Sequence, residues 1–241
     1  MSKLILNSLE VRNFRAFHDL KIEHLGRVNL LVGKNNVGKS SLLEAIHRLH
    51  SNEIPCMLAP AHGLSGQRLI ELWDGIALTK LEADVLAALR LIAPGLVDLN
   101  FVSTPLSGGE RIPVVKITDS DEPLPLYSLG DGMLRALGIS LALVHAKDGI
   151  LLIDEFENGL YYSVQPDLWR LIFQVARRLN VQVFATTHSC DCVEAFEKAA
   201  RGDHQEEGLL IRLESKQSDI VASLFDERQL GIATREHIEV R

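Results

Sequence analysis

The sequence predicts an α/β fold in which helices cover a mainly parallel central sheet. Three short and almost entirely apolar runs, at residues 28–32, 150–153 and 181–185, indicate strands that are buried on both faces. Segments with helical spacing alternate with these runs, which is typical of parallel strands joined by helices. Ligands of such sheets bind at the carboxyl ends of the strands, so polar residues that follow these runs are the first candidates for a site.

The other elements follow from the same patterns. Helical spacing predicts four longer helices, at residues 40–50, 80–92, 132–146 and 163–179. Strands are predicted at 3–11, 18–24, 100–104, 112–118, 208–214 and 219–225, with a hairpin turn at 107–109 and a short helix after the last strand. Residues 51–75 contain several prolines and glycines and are expected to be irregular, as in a mobile insertion. We interpret the chain as one domain, 1–241, in which residues 51–95 form a helical or irregular insertion.

Composition narrows the function classes. The chain has 241 residues, of which 46% are hydrophobic, so it can bury a sizeable core. Its net charge of −7 lacks the overall basic character of many nucleic-acid binders, although a local basic face remains compatible with that sum. No segment approaches the ~20 apolar residues of a membrane span, and the start does not resemble a secretory signal. We expect a soluble, cytoplasmic protein.

The three cysteines, Cys56, Cys190 and Cys192, are an odd number without the paired spacing of a metal site. We expect free, reduced thiols, as is usual in the cytoplasm.

A phosphate-binding loop is the most specific motif. Residues 33–40 read Gly-Lys-Asn-Asn-Val-Gly-Lys-Ser, a full match to G-x-x-x-x-G-K-[ST] between a buried strand and an amphipathic helix. A glycine turn that arises by chance would not need a buried strand before it and an amphipathic helix after it. Lys39 is expected to reach the β- and γ-phosphates of ATP, and Ser40 to offer its hydroxyl to Mg²⁺. The residues predicted to contact the nucleotide here are Gly33, Asn35, Asn36, Gly38, Lys39, Ser40 and Ser41.

Two carboxylates end the apolar run at 150–153. The run places Asp154 and Glu155 at the carboxyl edge of the sheet, although such a pair also ends many strands on a protein surface. Beside a complete phosphate loop, we expect Asp154 to help hold Mg²⁺ and Glu155 to polarise the attacking water. The second acid favours hydrolysis over binding alone.

With these motifs the sequence resembles the ABC-type ATPases, and two segments compete for the family's Leu-Ser-Gly-Gly-Gln signature. Residues 106–110, Leu-Ser-Gly-Gly-Glu, match this signature at all but the last residue. They lie between predicted strands, however, so a hairpin turn explains them better. Residues 127–132, Tyr-Ser-Leu-Gly-Asp-Gly, open a predicted helix at the family's usual distance before Asp154. We therefore assign Ser128 and Gly130 to the signature.

The resemblance also assigns two further residues. His188 follows a buried strand, where ABC-type ATPases place an imidazole near the γ-phosphate, whereas a lone histidine elsewhere is more often structural. Residues 157–160 stand at the place of the family's D-loop, which crosses the dimer interface, and Asn158 is its candidate contact.

The combination of motifs is similar to the OLD/RecF-like AAA ATPases, relatives of the SMC and RecF proteins. The resemblance runs from about residue 3 to 225 and depends on the two asparagines of the phosphate loop, Arg-Asn-Phe-Arg-Ala-Phe at 12–17, Ser-Leu-Gly-Asp-Gly at 128–132 and Asp-Glu-Phe-Glu-Asn-Gly-Leu at 154–160. It implies an ABC-type head with an antiparallel β subdomain, and ATP held between two heads. Lys39, Ser40, Asp154, Glu155 and His188 of one subunit would then face Ser128 and Gly130 of the other.

Some family features are absent or hard to place. The sequence has no coiled-coil insertion, and we expect no TOPRIM nuclease domain after residue 225. The family's Q-loop glutamine is not securely placed, since Gln67 has a loop-like setting. Arg12, Asn13 and Phe14 match a segment that often contacts the adenine, although Phe14 fits a core position equally well.

Three functions are compatible with the sequence. The first is an ATPase that dimerises around ATP and regulates a separately encoded effector, such as a nuclease or toxin, or a nucleic-acid transaction in genome maintenance or anti-phage defence. The second is the nucleotide-binding subunit of a membrane transporter, which the degenerate signature and missing Q-loop disfavour. The third is a nucleotide-gated binding module without hydrolysis.

Overall fold

A six-stranded, mainly parallel sheet forms the centre of the computed structural model. The structure describes residues 4–103, 109–118, 120, 122–201, 207–216, 219–226, 229 and 231. The strands of the described residues are β1 (Leu9–Phe14), β2 (Phe17–Ile22), β3 (Val28–Val32), β4 (Cys56–Ala59), β5 (Leu96–Ser103), β6 (Arg111–Ile117), β7 (Leu124–Pro125), β8 (Ile150–Ile153), β9 (Gln182–Thr186), β10 (Gly208–Lys216) and β11 (Asp219–Asp226). The helices are α1 (Lys39–His50), α2 (Gly66–Asp74), α3 (Glu82–Ile92), α4 (Asp131–His145), α5 (Gln165–Leu179) and α6 (Cys190–Arg201).

The central sheet has the order β11-β10-β3-β9-β8-β4. All its pairs are parallel except β10 with β11. Every residue of β3, β8 and β9 is buried, which explains why these strands read as continuous apolar runs. The predicted α/β class with a mainly parallel sheet is confirmed.

Alternate residues of each strand face two separate cores. In β8, Leu151 and Ile153 pack into the core that contains α2 to α6, whereas Ile150 and Leu152 pack into the core under α1 and the β1–β2 hairpin. This alternation is the ordinary consequence of the strand's two-residue period. The sheet is therefore covered on both faces, and its carboxyl edge is the place left for a site.

A smaller antiparallel sheet, β5-β6-β7, lies beside α3 and leads into α4. Asn100 of β5 pairs with Val114 of β6, as expected of the predicted hairpin, and a 3₁₀ turn at Leu126–Leu129 joins this sheet to α4. Most of the predicted hairpin turn, and most of the Leu-Ser-Gly-Gly-Glu segment, lies at 104–108, outside the described residues. The short helix predicted after the last strand also falls almost entirely outside them.

The prediction that residues 51–75 are irregular is wrong. Cys56–Ala59 forms β4, which pairs in parallel with β8 at one edge of the central sheet, and Gly66–Asp74 forms α2. The strand has only four residues and lies between Pro55 and Pro60, so the turn-forming residues dominated the pattern. Helix α2 begins after Ser65, whose hydroxyl accepts the backbone N–H of Arg68 at 3.3 Å. The interpretation of 1–241 as one domain stays a prediction.

Helix α6 was not predicted. It follows β9 and buries Val193 and Phe196, which have helical spacing, against α5. His188, Cys190 and Cys192 at the start of this segment are typical of a functional site, and for this reason the helical spacing of the apolar residues after them was not recognised.

Candidate functional site

The phosphate loop curls tightly between β3 and α1. Gly33 and Gly38 have φ angles of 144° and 101°, which favour glycine, and a Cβ atom on Gly33 would lie 2.4 Å from the carbonyl oxygen of Leu213. The Lys39 ammonium donates to the carbonyl oxygens of Gly33 at 2.7 Å and Lys34 at 3.2 Å. The lysine therefore lies along the loop that would surround a phosphate chain.

Burial lowers the pKa of Lys39, and the negative charges of Glu155, Glu157 and Asp154 oppose this shift. The ammonium has lost part of its water without gaining a direct ion pair among the described residues. A phosphate in the loop would compensate for that lost water, which makes the position suitable for binding a polyanion.

Asp154 connects the acidic strand to the phosphate loop. Its Oδ1 atom accepts hydrogen bonds from the hydroxyl of Ser40 at 2.9 Å and from the hydroxyl of Thr186 at 2.7 Å. A hydroxyl and a carboxylate oxygen this close together form the oxygen donor set that Mg²⁺ prefers. Among the described residues no group of three or more His, Cys, Asp and Glu side chains could hold a metal, so Mg²⁺ would also need phosphate oxygens and water.

Glu155 is held beside Asp154 in a restrained conformation. Its φ angle is 48°, unusual for a residue with a side chain, and its backbone N–H donates to the Thr186 hydroxyl at 2.8 Å. The Asn158 side-chain amide donates to its Oε2 atom at 2.6 Å. The resemblance implies that Asn158 contacts the facing subunit. In this structure it contacts Glu155 of its own subunit.

His188 lies in the loop after β9 and is half exposed. Its Nδ1 atom is 3.2 Å from Oε1 of Glu157, which also accepts the His188 backbone N–H at 3.1 Å. Sequence reasoning placed Glu157 in the D-loop segment 157–160 but missed its contact with His188. Glu157 adds a third carboxylate shortly after the predicted pair, Asp154 and Glu155.

The phosphate loop, Glu155 and His188 line a cleft of about 660 Å³. Its lining is Ala16, Asn35, Asn36, Gly38, Lys39, Ser40, Ser41, Glu155, Thr186 and His188. The structure thus brings together most of the residues predicted at this site and adds Thr186, which could have been suspected as a hydroxyl at the end of a buried strand. Gly33 and Asp154 lie directly behind this surface, joined to it by the hydrogen bonds of Lys39 and Ser40.

Arg135 of α4 is a second residue that sequence reasoning missed. It is buried, and its guanidinium donates to the carbonyl oxygens of Asp154 at 2.7 Å, Glu155 at 2.9 Å and Pro60 at 2.5 Å. Burial lowers its pKa, opposed by the charges of nearby acids. The available signal was a single charged residue within the apolar stretch 133–144. Arg135 ties the helix that follows the signature to the end of the acidic strand.

The proposed signature residues do not line this cleft. Ser128 lies in the 3₁₀ turn before α4 and its hydroxyl donates to the carbonyl oxygen of Pro125 at 2.6 Å. Gly130 precedes α4 with a φ angle of 99°, and a Cβ atom there would meet no described atom within 4 Å. Both residues are exposed, and neither lines the cleft of its own chain.

The segment assigned to the adenine is close to the cleft without lining it. Arg12 forms ion pairs with Glu10 and Asp19, and Asn13 has a φ angle of 50° near the turn of the β1–β2 hairpin. Phe14 lies near the guanidinium groups of Arg15 and Arg48. Ala16 is the residue of this hairpin that reaches the cleft, so an adenine contact by Arg12, Asn13 or Phe14 stays a prediction.

Gln67, the candidate for the Q-loop, lies on α2 rather than in a loop, and its amide donates to Glu71 at 3.3 Å. It does not line the cleft.

Two family models match parts of the chain. The model described as "AAA domain, putative AbiEii toxin, Type IV TA system" matches residues 107–191, and the model described as "AAA ATPase domain" matches residues 4–58. The first contains Ser128, Gly130 and the acidic pair, and the second contains the phosphate loop.

Curated relatives match over short segments. The chain is 33% identical over 90 residues to an ATP/GTP phosphatase of Helicobacter pylori, covering 36% of this chain and 24% of that protein. It is 34% identical over 70 residues to the DNA replication and repair protein RecF of Lactococcus lactis, covering 29% and 18%. It is 49% identical over 43 residues to the DNA double-strand break repair Rad50 ATPase of Archaeoglobus fulgidus, covering 18% and 5%. The matched segments therefore span at most about a quarter of these relatives.

Two solved structures resemble the fold of this chain over most of its length. An SMC head bound to the C-terminal winged-helix domain of ScpA has a TM-score of 0.63 at 11% identity and covers 91% of this chain and 97% of its own. The SMC head domain from Thermotoga maritima has a TM-score of 0.60 at 13% identity and covers 91% and 98%. The predicted head fold is confirmed by this likeness.

Within the part of the chain that the structure describes, no helix has the length and apolar character needed to cross a membrane.

Proposed function

We propose that this ABC-type, RecF/SMC-like ATPase head binds ATP with Mg²⁺ in the phosphate-loop cleft and hydrolyses it. The observation that carries the proposal is a continuous set of hydrogen bonds across the cleft. Ser40 of the phosphate loop bonds to Asp154, Asp154 to Thr186, and Thr186 to the backbone of Glu155. The loop that would hold the phosphates and the acid that would act on water are thus parts of one rigid unit.

Mg²⁺ would be held by Ser40 and Asp154 together with phosphate oxygens and water. When bound, it would neutralise charge on the β- and γ-phosphates. The Ser40 hydroxyl donates to Asp154 at 2.9 Å, so the two groups are within reach of a common ligand.

Each side chain then has a distinct task. Lys39 binds the β- and γ-phosphates through its ammonium, and backbone N–H groups of the phosphate loop bind the others. Glu155 accepts a hydrogen bond from the attacking water and orients it toward the γ-phosphate. His188, which also lines the cleft, contacts the γ-phosphate, and its imidazole stabilises charge in the transition state.

The site is completed by a second copy of the chain. Ser128 and Gly130 are exposed and lie outside the cleft of their own subunit, as a signature that serves the partner's nucleotide would. The resemblance to ABC-type ATPases implies the same arrangement. ATP would then join two heads, and hydrolysis would separate them.

The two-state head would regulate a separate effector or a nucleic-acid transaction. Relatives named as DNA repair proteins, and a family model named for a toxin–antitoxin system, support this class of role. The SMC head that shares the fold is bound to a ScpA domain, an example of a head that carries a protein partner.

The test compares the wild type with Glu155→Gln and Lys39→Ala, with Glu194→Gln on α6 as a control of equal charge change. Phosphate release and size-exclusion chromatography are measured with and without ATP and Mg²⁺. Glu155→Gln is expected to accumulate an ATP-bound dimer with turnover reduced about 100-fold or more. Lys39→Ala should remain monomeric, and Glu194→Gln should behave as the wild type. Normal turnover by Glu155→Gln would refute its assigned role, and a monomer under both conditions would refute the shared site.

A further inference from the structure

Glu157 makes two contacts with His188 through one oxygen. Its Oε1 atom accepts the backbone N–H of His188 at 3.1 Å and lies 3.2 Å from the Nδ1 atom of the same residue. The first contact fixes the loop and the second fixes the ring. A carboxylate at Nδ1 favours the tautomer that carries its proton there, which leaves Nε2 as the nitrogen to meet a ligand.

The backbone that presents Glu157 is firmly anchored. Phe156 is fully buried and stacks on Trp169 with a centroid distance of 3.9 Å, and its N–H donates to the carbonyl oxygen of Thr186 at 3.0 Å. Since β8 and β9 are adjacent and parallel, the loops that follow them run side by side. Glu157 is therefore held against the histidine loop by the sheet itself.

Packing alone does not account for a carboxylate here. The Glu157 side chain is only 11% exposed, and its Oε2 atom is buried without a hydrogen-bond partner among the described residues. Leaving a buried carboxylate oxygen unpaired costs free energy, and a group kept at such a cost needs an explanation. Among the described residues, the hydrogen-bond and ion-pair partner of its other oxygen is His188 of the cleft.

We propose that Glu157 is the positioning residue of His188: its carboxylate holds the proton on Nδ1 and directs Nε2 toward the γ-phosphate. The catalytic consequence rests on the proposed function, because only ATP in the cleft supplies that phosphate. The orientation of the ring, however, is a property of the protein without nucleotide and can be measured separately.

The first experiment uses the full chain without nucleotide, labelled with ¹⁵N in its histidine rings. The signals of His188 are assigned from their loss in His188→Gln, and spectra are recorded at alkaline pH for the wild type, Glu157→Ala and Glu194→Gln. We expect the Nδ1–H tautomer in the wild type and Glu194→Gln, and a shift toward the Nε2–H tautomer in Glu157→Ala. The same tautomer in the wild type and Glu157→Ala would overturn the proposal.

The second experiment measures ATP turnover. Glu157→Ala removes the acceptor and is expected to lower kcat about 10-fold, as loss of an orienting partner commonly does. The double variant Glu157→Ala/His188→Gln should be no slower than His188→Gln alone, since both changes remove the same contact. Additive losses would overturn the proposal. A wild type without ATP turnover would refute the proposed function, whereas the tautomer spectra would still decide how His188 is positioned.

Discussion

At the scale of single residues, Gly33 shows why the first glycine of the phosphate loop resists substitution. A Cβ atom there would meet the carbonyl oxygen of Leu213 at 2.4 Å and the side chain of Val37 at 2.9 Å. Gly63 also has a positive φ angle, of 82°, but a Cβ atom on it would meet no described atom within 4 Å. Substitutions at the two positions therefore distinguish the effect of a steric clash from that of backbone strain alone.

Gly33→Ala is therefore expected to destabilise the protein more than Gly63→Ala. The control has only the strain of its positive φ angle, about 1 kcal/mol, and the clash at Gly33 adds about 1–3 kcal/mol. Urea unfolding of both variants measures the difference. Equal free energies of unfolding would show that the loop relaxes around the added methyl group.

The three thiols have different environments. Burial raises the pKa of Cys56 to about 11. Burial, followed by the charge of Glu157, raises the pKa of Cys192 to about 12. Cys190 is exposed. The expectation of free cysteines agrees with the structure, in which none of the three forms a disulfide.

At pH 8 a thiol with a pKa near 11 is about 0.1% thiolate, and only the thiolate reacts. In the folded protein we expect one fast-reacting thiol, Cys190, and two slow ones, and the slow reactions should accelerate as the pH rises. A thiol-exchange reagent followed by absorbance, with Cys190→Ser as control, checks this. Three equal rates would contradict the burial of Cys56 and Cys192.

At the scale of elements, Arg135 is the physical link between α4 and the ends of β8 and β4. It binds carbonyl oxygens of Asp154, Glu155 and Pro60. The last two also accept backbone N–H groups, of Asn158 and Gly63, so it is mainly the Asp154 oxygen that would be left without a donor if the side chain were removed. The helix that begins at the proposed signature is thereby connected to the acidic pair.

Arg135→Met keeps much of the volume and removes the donors, so we expect a loss of at least about 2 kcal/mol in the free energy of unfolding. Arg170→Met on α5, where the arginine is exposed and pairs with Asp167, should change stability by less than about 0.5 kcal/mol. Chemical denaturation of both variants makes the comparison. Similar small losses would mean that water replaces the guanidinium.

The elements that carry the site were predictable because each has a local signal. A buried parallel strand reads as an apolar run, and the glycines of the phosphate loop have fixed spacing, so β3, β8, β9 and α1 were found. The edge strand β4 has no such signal, because it is short and only partly buried. The roles of Glu157, Thr186 and Arg135 were missed for another reason: they depend on partners about 20 to 75 residues away, which no local pattern records.

At the scale of the whole molecule, the placement of Ser128 outside its own cleft predicts that activity can be restored by mixing two inactive variants. Ser128→Arg leaves its own phosphate loop intact, and Lys39→Ala leaves its own signature intact. A mixed dimer would contain one site with both parts intact.

Each variant alone is expected to be inactive, and an equal mixture should recover turnover through mixed dimers, at most about half of the wild-type value because each mixed dimer has one intact site of two. Phosphate release at several mixing ratios, with a Lys39→Ala/Ser128→Arg double variant as the control partner, measures this. Failure of the mixture to recover any activity, with both variants folded, would contradict a site shared between copies.

The strand that carries the phosphate loop has neighbours that come late in the chain. β3 ends at Val32, yet its two hydrogen-bonded neighbours are β9, from Gln182, and β10, from Gly208. During synthesis on the ribosome, the backbone groups of β3 therefore remain without their sheet partners until β9 and β10 have been made. Contacts of such long sequence separation slow folding and expose strand edges to aggregation. The strand that leads into the phosphate loop is thus fully paired only after β10 has been made, and a chain cut before β10 would leave β3 open along one side.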